Sequence, residues 1–177
     1  LVVLEVLMSA GINRYKADLR ELEFVLFEQF KLGEVLGKGH FEAWGPDEIR
    51  LSIAECYRFV CEQLGTLNAN SDREGCTFKD GQVTTPKGFK DAWKKLYEAG
   101  WKSVGVEPEL GGQGAPHTLR SIVEELLSGA NTAFAVYSGL TAGVAEVILA
   151  FGTESQKKRY AEKLIAGTFA GTMCLTE

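Results

Sequence analysis

"HTLRSIVEELLSGANTAFAVYSGLTAGVAEVILAFG", His117 to Gly152, is the stretch whose periodicity decides the fold. Leu119, Ile122, Leu126, Ala130, Ala133, Phe134 and Tyr137 recur at three- and four-residue steps, with Val123 and Leu127 as a second file. That spacing is the signature of a helix buried along one face. Ser138 and Gly139 interrupt it. Leu140, Val144, Val147, Ile148 and Phe151 then form a second helix that is apolar nearly all round, which predicts a place in the middle of a bundle.

Downstream, Gly152 stops this helix, and Thr153 with Gln156 spells a capping box for the next, whose buried side is Tyr160, Leu164 and Ile165. Gly167 closes that helix, and Gly171–Glu177, "GTMCLTE", reads as a strand. Upstream, Thr85 as N-cap, Pro86 at the first helical position and Gly100 beyond the end bracket a helix with the stripe Phe89, Trp93, Leu96 and Tyr97. Trp101 is expected to fold back on it. "FKDGQV" predicts a small hairpin, because Asp80-Gly81 suits a type I′ turn.

Pro46, Asp47 and Glu48 make a favourable first turn for a helix with the stripe Ile49, Ile53, Cys56, Tyr57, Val60 and Leu64. Polar Asn68–Gly75 reads as a loop. A first helix over Asp18–Lys31 carries Leu19, Leu22, Leu26 and Phe30, widened by Phe24, Val25 and Phe27, and is expected to be buried on more than one side. The sum is about six helices, one hairpin and one terminal strand. The fold class is all-α, a helical bundle.

Composition narrows the function classes. The 177 residues are ordinary for a globular protein, with 45% hydrophobic and 24% charged residues. A net charge of −5 gives no support to nucleic acid or an anionic membrane as partner. No Lys/Arg run exceeds Lys157, Lys158 and Arg159, and no run of apolar residues reaches the roughly 18 that a membrane span needs. Cys56, Cys61, Cys76 and Cys174 have neither paired spacing nor density, so free thiols in a reducing cytoplasm are expected and a metal site is not. "LVVLEVL" before Met8 is taken as a leader ahead of the native start.

Single motifs are weak. "ELGGQGAP" lacks the Lys-Ser/Thr of a phosphate loop and follows no strand, so a tight helix-to-helix turn explains it better. His40 and His117 have no ligand partners at metal spacing, and Glu124-Glu125 points in two directions, as on a solvated helix face. The serines lack a nucleophile elbow. Small residues crowd Ala130 to Ala145. They suit either close helix packing or room for a slender apolar ligand.

Together the pieces carry more. Gly100-Trp101, then Pro108-Glu109 with Gly111, Gly112 and Gly114, then Gly152, Gln156-Lys157 and Tyr160, then Cys174, Thr176 and Glu177 resemble, in this order, the amino-terminal half of an acyl-CoA dehydrogenase. The likeness covers Pro46 to Glu177. The front end and "MCLTE" are more similar to the longer branch that includes 3-(methylthio)propanoyl-CoA dehydrogenases. The resemblance implies an FAD enzyme that removes the α-proton of an acyl-CoA and passes the β-hydrogen to the flavin as hydride. It implies flavin contacts from Met173, Leu175 and Thr176, and an acyl tail lined by Gly139, Leu140 and Gly143. It also implies an electron-transfer flavoprotein or similar acceptor, and a homo-oligomer.

The same resemblance sets the expected domain limits: a helical extension over 8–45, the helical domain over 46–168, and the first strand of a middle β-domain over 169–177. The family's glutamate base lies far downstream, so no catalytic residue is assigned here, and Glu177 is not given that role. The 177 residues by themselves are expected to be inactive, to hold FAD weakly or not at all, and to self-associate. The alternatives are a stand-alone helical binding module, or a flavoprotein of other activity on this scaffold.

Overall fold

Six helices and one hairpin make up the regular structure of residues 11–174, the part described by the computed structural model. The expected leader, Met8, and Leu175, Thr176 and Glu177 lie outside the described residues.

Helix α1 is α-helical over Leu19–Glu23 and widens to a π-helical turn over Phe24–Gln29. The Asp18 carboxylate caps it, accepting from the Arg20 amide at 3.0 Å. Leu22 and Leu26 are buried, but Phe24 and Phe30 are exposed, so α1 is buried on one side and not on several. It lies on the bundle surface, where the Arg50 guanidinium packs 4.2 Å over the Phe27 ring and pairs with Glu23 at 3.4 Å.

Helix α2 is α-helical over Pro46–Val60, π-helical over Cys61–Gly65 and α-helical again over Thr66–Glu74. The predicted stripe holds, with Ile49, Ile53, Cys56, Val60 and Leu64 at the centre of the core. The loop expected at Asn68–Gly75 is instead its last turns. Polar side chains there point to water while Leu67 is half-buried and Ser71 is buried.

Strands β1 (Thr77–Lys79) and β2 (Gln82–Thr84) pair antiparallel, with Phe78 opposite Val83. Asp80 and Gly81 have φ of 51° and 77°, as the hairpin turn requires. Helix α3 covers Phe89–Glu98, three residues later than its expected first turn. Pro86 opens a turn closed by the Phe89 amide at 3.2 Å, and Gly88 at φ 91° separates that turn from the helix.

Helices α4 (His117–Ala130) and α5 (Thr132–Phe151) meet at Asn131, not at Ser138-Gly139. Asn131 Oδ1 caps the Phe134 amide at 3.1 Å, and its Nδ2 donates to the Leu64 carbonyl at 3.4 Å. Ser138 stays helical, and its hydroxyl donates to the Ala135 carbonyl, 3.1 Å away within the same helix. Helix α5 does not occupy the middle of the bundle. Its Phe134, Ala135, Ser138, Thr141 and Ala145 are buried, while Val136, Val147 and Phe151 are 53%, 60% and 86% exposed. By length and composition it is also apolar enough to cross a membrane, contrary to the expectation from runs of apolar residues.

Helix α6 runs through Glu154–Gln156, a π-helical turn at Lys157–Ala161, and Glu162–Ile165. Its capping box is formed: the Gln156 amide donates to Thr153 Oγ1 at 3.3 Å and the Thr153 amide to Gln156 Oε1 at 2.8 Å. Ala161 and Leu164 face the core, whereas Tyr160, expected inside, is exposed. Gly171–Cys174 form no strand; no neighbouring strand among the described residues offers them a ladder.

Candidate functional site

The open face of α5 is built from the small residues of the sequence. They divide by side: Ala135, Ser138 and Ala145 are buried, which is the close-packing role. Gly139 and Gly143 lie on the other side, where an added Cβ would meet nothing within 4 Å. Val136, Gly139, Leu140, Gly143 and Val147 follow helical spacing along one stripe, roughly 16 Å long at 1.5 Å per residue. Gly139 is exposed and Leu140 and Gly143 are half-exposed, so the stripe is a shallow apolar trough.

The segment after α6 crosses α5 beside this trough. The Gly171 amide donates to Thr141 Oγ1 at 3.0 Å, and that hydroxyl donates to the Tyr137 carbonyl at 2.8 Å. A Cβ on Gly171 would sit 2.7 Å from Val144 Cγ2, so the crossing needs glycine. Beyond it Met173 is exposed. A cleft of about 360 Å³ under the segment is walled by Val144, Ile148, Tyr160 and Phe169. A second cleft of about 240 Å³, between α3 and the start of α5, has Phe89, Trp93, Phe134 and Tyr137 as walls. At its edge the Tyr137 hydroxyl meets Cys76 Sγ at 3.4 Å, a contact that raises the Tyr137 pKa.

Of the expected flavin contacts, Met173 is described and is exposed two residues beyond the Gly171 crossing. Leu175 and Thr176 fall outside the described residues. Gly139, Leu140 and Gly143, assigned by the resemblance to the acyl tail, lie on one face of α5. No ionisable side chain stands among Val136, Gly139, Leu140, Gly143 and Val147, so this stripe is apolar and cannot take a proton.

The glycine-rich turn has a structural part. The amides of Leu110, Gly111, Gly112, Gln113, Gly114 and Ala115 all donate to backbone carbonyls of residues 103–108 at 2.9–3.1 Å. None is left to cradle a phosphate. A Cβ on Gly112 would lie 1.9 Å from the Val106 carbonyl oxygen. His40 forms a 3.6 Å surface contact with Glu107, His117 is exposed at the start of α4, and no metal-binding cluster exists among the described residues.

One pairing was not legible beforehand. The Lys102 side chain, 3% exposed, pairs with Glu124, so of the acidic pair Glu125 is exposed and Glu124 is half-buried. Burial lowers the Lys102 pKa and Glu124 opposes the shift. Arg120 pairs with Glu146 across α4 and α5. The signal in sequence was faint: a lysine directly after the half-buried Trp101, whose ring lies 6.3 Å from that of Phe59.

Comparison with known proteins agrees with this layout. The family model described as "Acyl-CoA dehydrogenase, N-terminal domain" matches residues 46–168. The chain is 30% identical over 163 residues to 3-methylmercaptopropionyl-CoA dehydrogenase of Ruegeria pomeroyi, covering 92% of this chain and 28% of that protein. It is 33% identical over 167 residues to the broad-specificity linear acyl-CoA dehydrogenase FadE5 of Mycobacterium tuberculosis, covering 93% and 27%. A butyryl-CoA dehydrogenase of Syntrophomonas wolfei is 28% identical over 173 residues, covering 93% and 28%. The chain therefore spans little more than a quarter of the length of these relatives. The domain match over 46–168, on a helical bundle, makes the chain a member of the acyl-CoA dehydrogenase family, in its amino-terminal domain.

Proposed function

We propose that this chain is the helical part of an FAD-dependent dehydrogenase that forms an α,β-double bond in an unbranched acyl-CoA thioester. The observation that carries the reading is the apolar trough on α5, open at Gly139 and Gly143. An acyl chain can lie along such an apolar stripe. Three relatives that share nearly the whole chain carry the names of unbranched or linear acyl-CoA substrates.

In this reading FAD, when bound, accepts the hydride released from the β-carbon. The residues here orient and desolvate. Gly139 and Gly143 let the acyl chain approach the α5 backbone, Leu140 flanks it, and Val136 and Val147 close the ends. Gly171, tied to Thr141, holds the segment that brings Met173 to the flavin side, where an exposed, polarisable thioether fits against a flat ring. The resemblance also assigns flavin contact to Leu175 and Thr176, Thr176 through its hydroxyl, both outside the described residues. The base that takes the α-proton comes from outside these residues, and the electrons pass to an electron-transfer flavoprotein or similar acceptor. The whole enzyme is a homo-oligomer.

The test compares the 177-residue chain with a protein in which it is joined to the further domains its relatives carry. The longer protein is expected to bind FAD stoichiometrically and to bleach it on addition of butyryl- or octanoyl-CoA. The shorter chain is expected to do neither. Tight flavin or turnover in the 177 residues, or a longer protein whose flavin ignores every acyl-CoA, would overturn the reading.

A further inference from the structure

Ahead of α1, residues 11–17 cross the bundle as a strap that belongs to no helix or strand. Their exposure alternates: Gly11, Asn13, Tyr15 and Ala17 are half-buried, while Ile12, Arg14 and Lys16 are exposed. A period of two is that of an extended chain with one side against a surface. Tyr15 and Ala17 pack on the core, and the Tyr15 ring meets Tyr57 of α2 edge-on, with centroids 6.1 Å apart. The strap lies outside residues 46–168, which the family match covers.

Three of the inward positions fit by the absence of a side chain. A Cβ on Gly65, at the π-helical turn of α2, would lie 2.0 Å from Asn13 Oδ1. A Cβ on Gly129, near the end of α4, would lie 2.5 Å from the Tyr15 ring. On the strap itself, a Cβ on Gly11 would lie 1.7 Å from the Thr66 carbonyl oxygen. Glycine is, after proline, the least favourable residue inside a helix, so Gly65 and Gly129 weaken α2 and α4. The strap fills the space that both leave.

Asn13 shapes the occupant from within. Its Oδ1 accepts the Tyr15 amide at 3.0 Å, and its Nδ2 donates to the Tyr15 carbonyl at 3.2 Å. No backbone–backbone hydrogen bond joins residues 11–17 to the rest of the described chain, so side-chain fit selects the occupant and a ladder does not. A cleft of about 390 Å³ stays open beside the strap, next to Asn68, Ala69 and Ala130. A segment held in this way can leave its groove without breaking a helix or a sheet.

We propose that the groove over Gly65 and Gly129 is a peptide-recognition site, selective for an extended segment with glycine, asparagine and tyrosine at alternate positions, and that residues 11–17 are its resident, displaceable occupant. Pockets for alternate side chains are what give an extended peptide its specificity. A tethered occupant competes at an effective concentration on the order of millimolar, so a free peptide enters only where the resident strap is weakened. The site is separate from the acyl trough and does not depend on the chain being a dehydrogenase.

Fluorescence anisotropy with a labelled, acetylated peptide of residues 11–18 tests this on the full 177-residue chain. Asn13→Ala combined with Tyr15→Ala weakens the resident strap, and this protein is expected to bind the peptide at least tenfold more tightly than the parent does. A scrambled peptide should bind it at least tenfold more weakly than the native order. Adding Gly129→Leu, which occupies the place of the Tyr15 ring, should weaken the native peptide at least tenfold. Should the weakened-strap protein not fold, Gly129→Leu alone decides. Trypsin cleavage after Arg14 and Lys16 should then accelerate at least tenfold, while cleavage after Arg120, inside α4, does not. A folded weakened-strap protein that ignores the peptide, a scrambled peptide bound as well as the native one, or an unchanged cleavage rate in Gly129→Leu would each overturn the proposal.

Discussion

The side-chain amide of Asn131 reaches the carbonyl oxygen of Leu64, 67 residues earlier, at 3.4 Å, while its Oδ1 caps the Phe134 amide at 3.1 Å. One fully buried residue thus ends α4, starts α5 and ties both to the π-helical turn of α2. Asn131→Ala is expected to cost about 1–3 kcal/mol, by loss of the cap and exposure of unpaired buried groups. Asn131→Asp keeps the cap and loses the donor, and should fall between. Urea unfolding of the two variants gives the order.

Gly143→Leu separates stability from binding. Nothing lies within 4 Å of its added Cβ, and leucine is a better helix former than glycine by about 0.5–1 kcal/mol. The variant should unfold no earlier than the parent. In a protein that carries the remaining domains, it should raise KM for long unbranched acyl-CoAs at least tenfold. Thermal unfolding and steady-state kinetics together check this; a lowered melting temperature with unchanged KM would place the residue in packing instead.

The crossing over α5 depends on one hydroxyl. Thr141→Val removes the acceptor of the Gly171 amide while preserving shape, and should cost about 1 kcal/mol locally. Hydrogen exchange at Gly171 should accelerate, with exchange in α2 unchanged. Gly171→Val should release the segment more fully, through its clash with Val144.

Alkaline stability reports on Cys56. Burial pushes its thiol pKa up to about 12 from an ordinary value of 9.0. Between those values the unfolded thiol ionises first, so the folded state holds more protons and stability falls as pH rises. The contribution is intact below about pH 9 and declines at up to roughly 1.4 kcal/mol per pH unit above it. Cys56→Ala should be less stable at neutral pH and lose less between pH 9 and 11, as urea titrations at each pH would show.

How much was readable beforehand depended on whether local chemistry or tertiary context set each feature. The Asp80-Gly81 hairpin, the Thr153–Gln156 capping box and the Ile49–Leu64 stripe are fixed by neighbours in sequence, and all are present. The joint at Asn131 was missed because its cap is completed by a carbonyl on another helix. Helix α5 looked like a central helix because its buried and its open sides are equally apolar in sequence. The trough glycines were assigned to the acyl tail through resemblance, since periodicity alone favoured close packing over ligand room. Lys102 was missed because a buried lysine looks like any other lysine until its partner is placed.

Three of the six helices contain a π-helical turn, at Phe24–Gln29, Cys61–Gly65 and Lys157–Ala161. Such a turn is wider than an α-turn by one residue. In α2 the inward positions nonetheless keep steps of three and four residues straight through it, from Val60 and Leu64 to Leu67 and Ser71. A one-residue deletion within Cys61–Gly65 breaks that run of steps, so insertions or deletions in α2 should be tolerated only in compensating pairs.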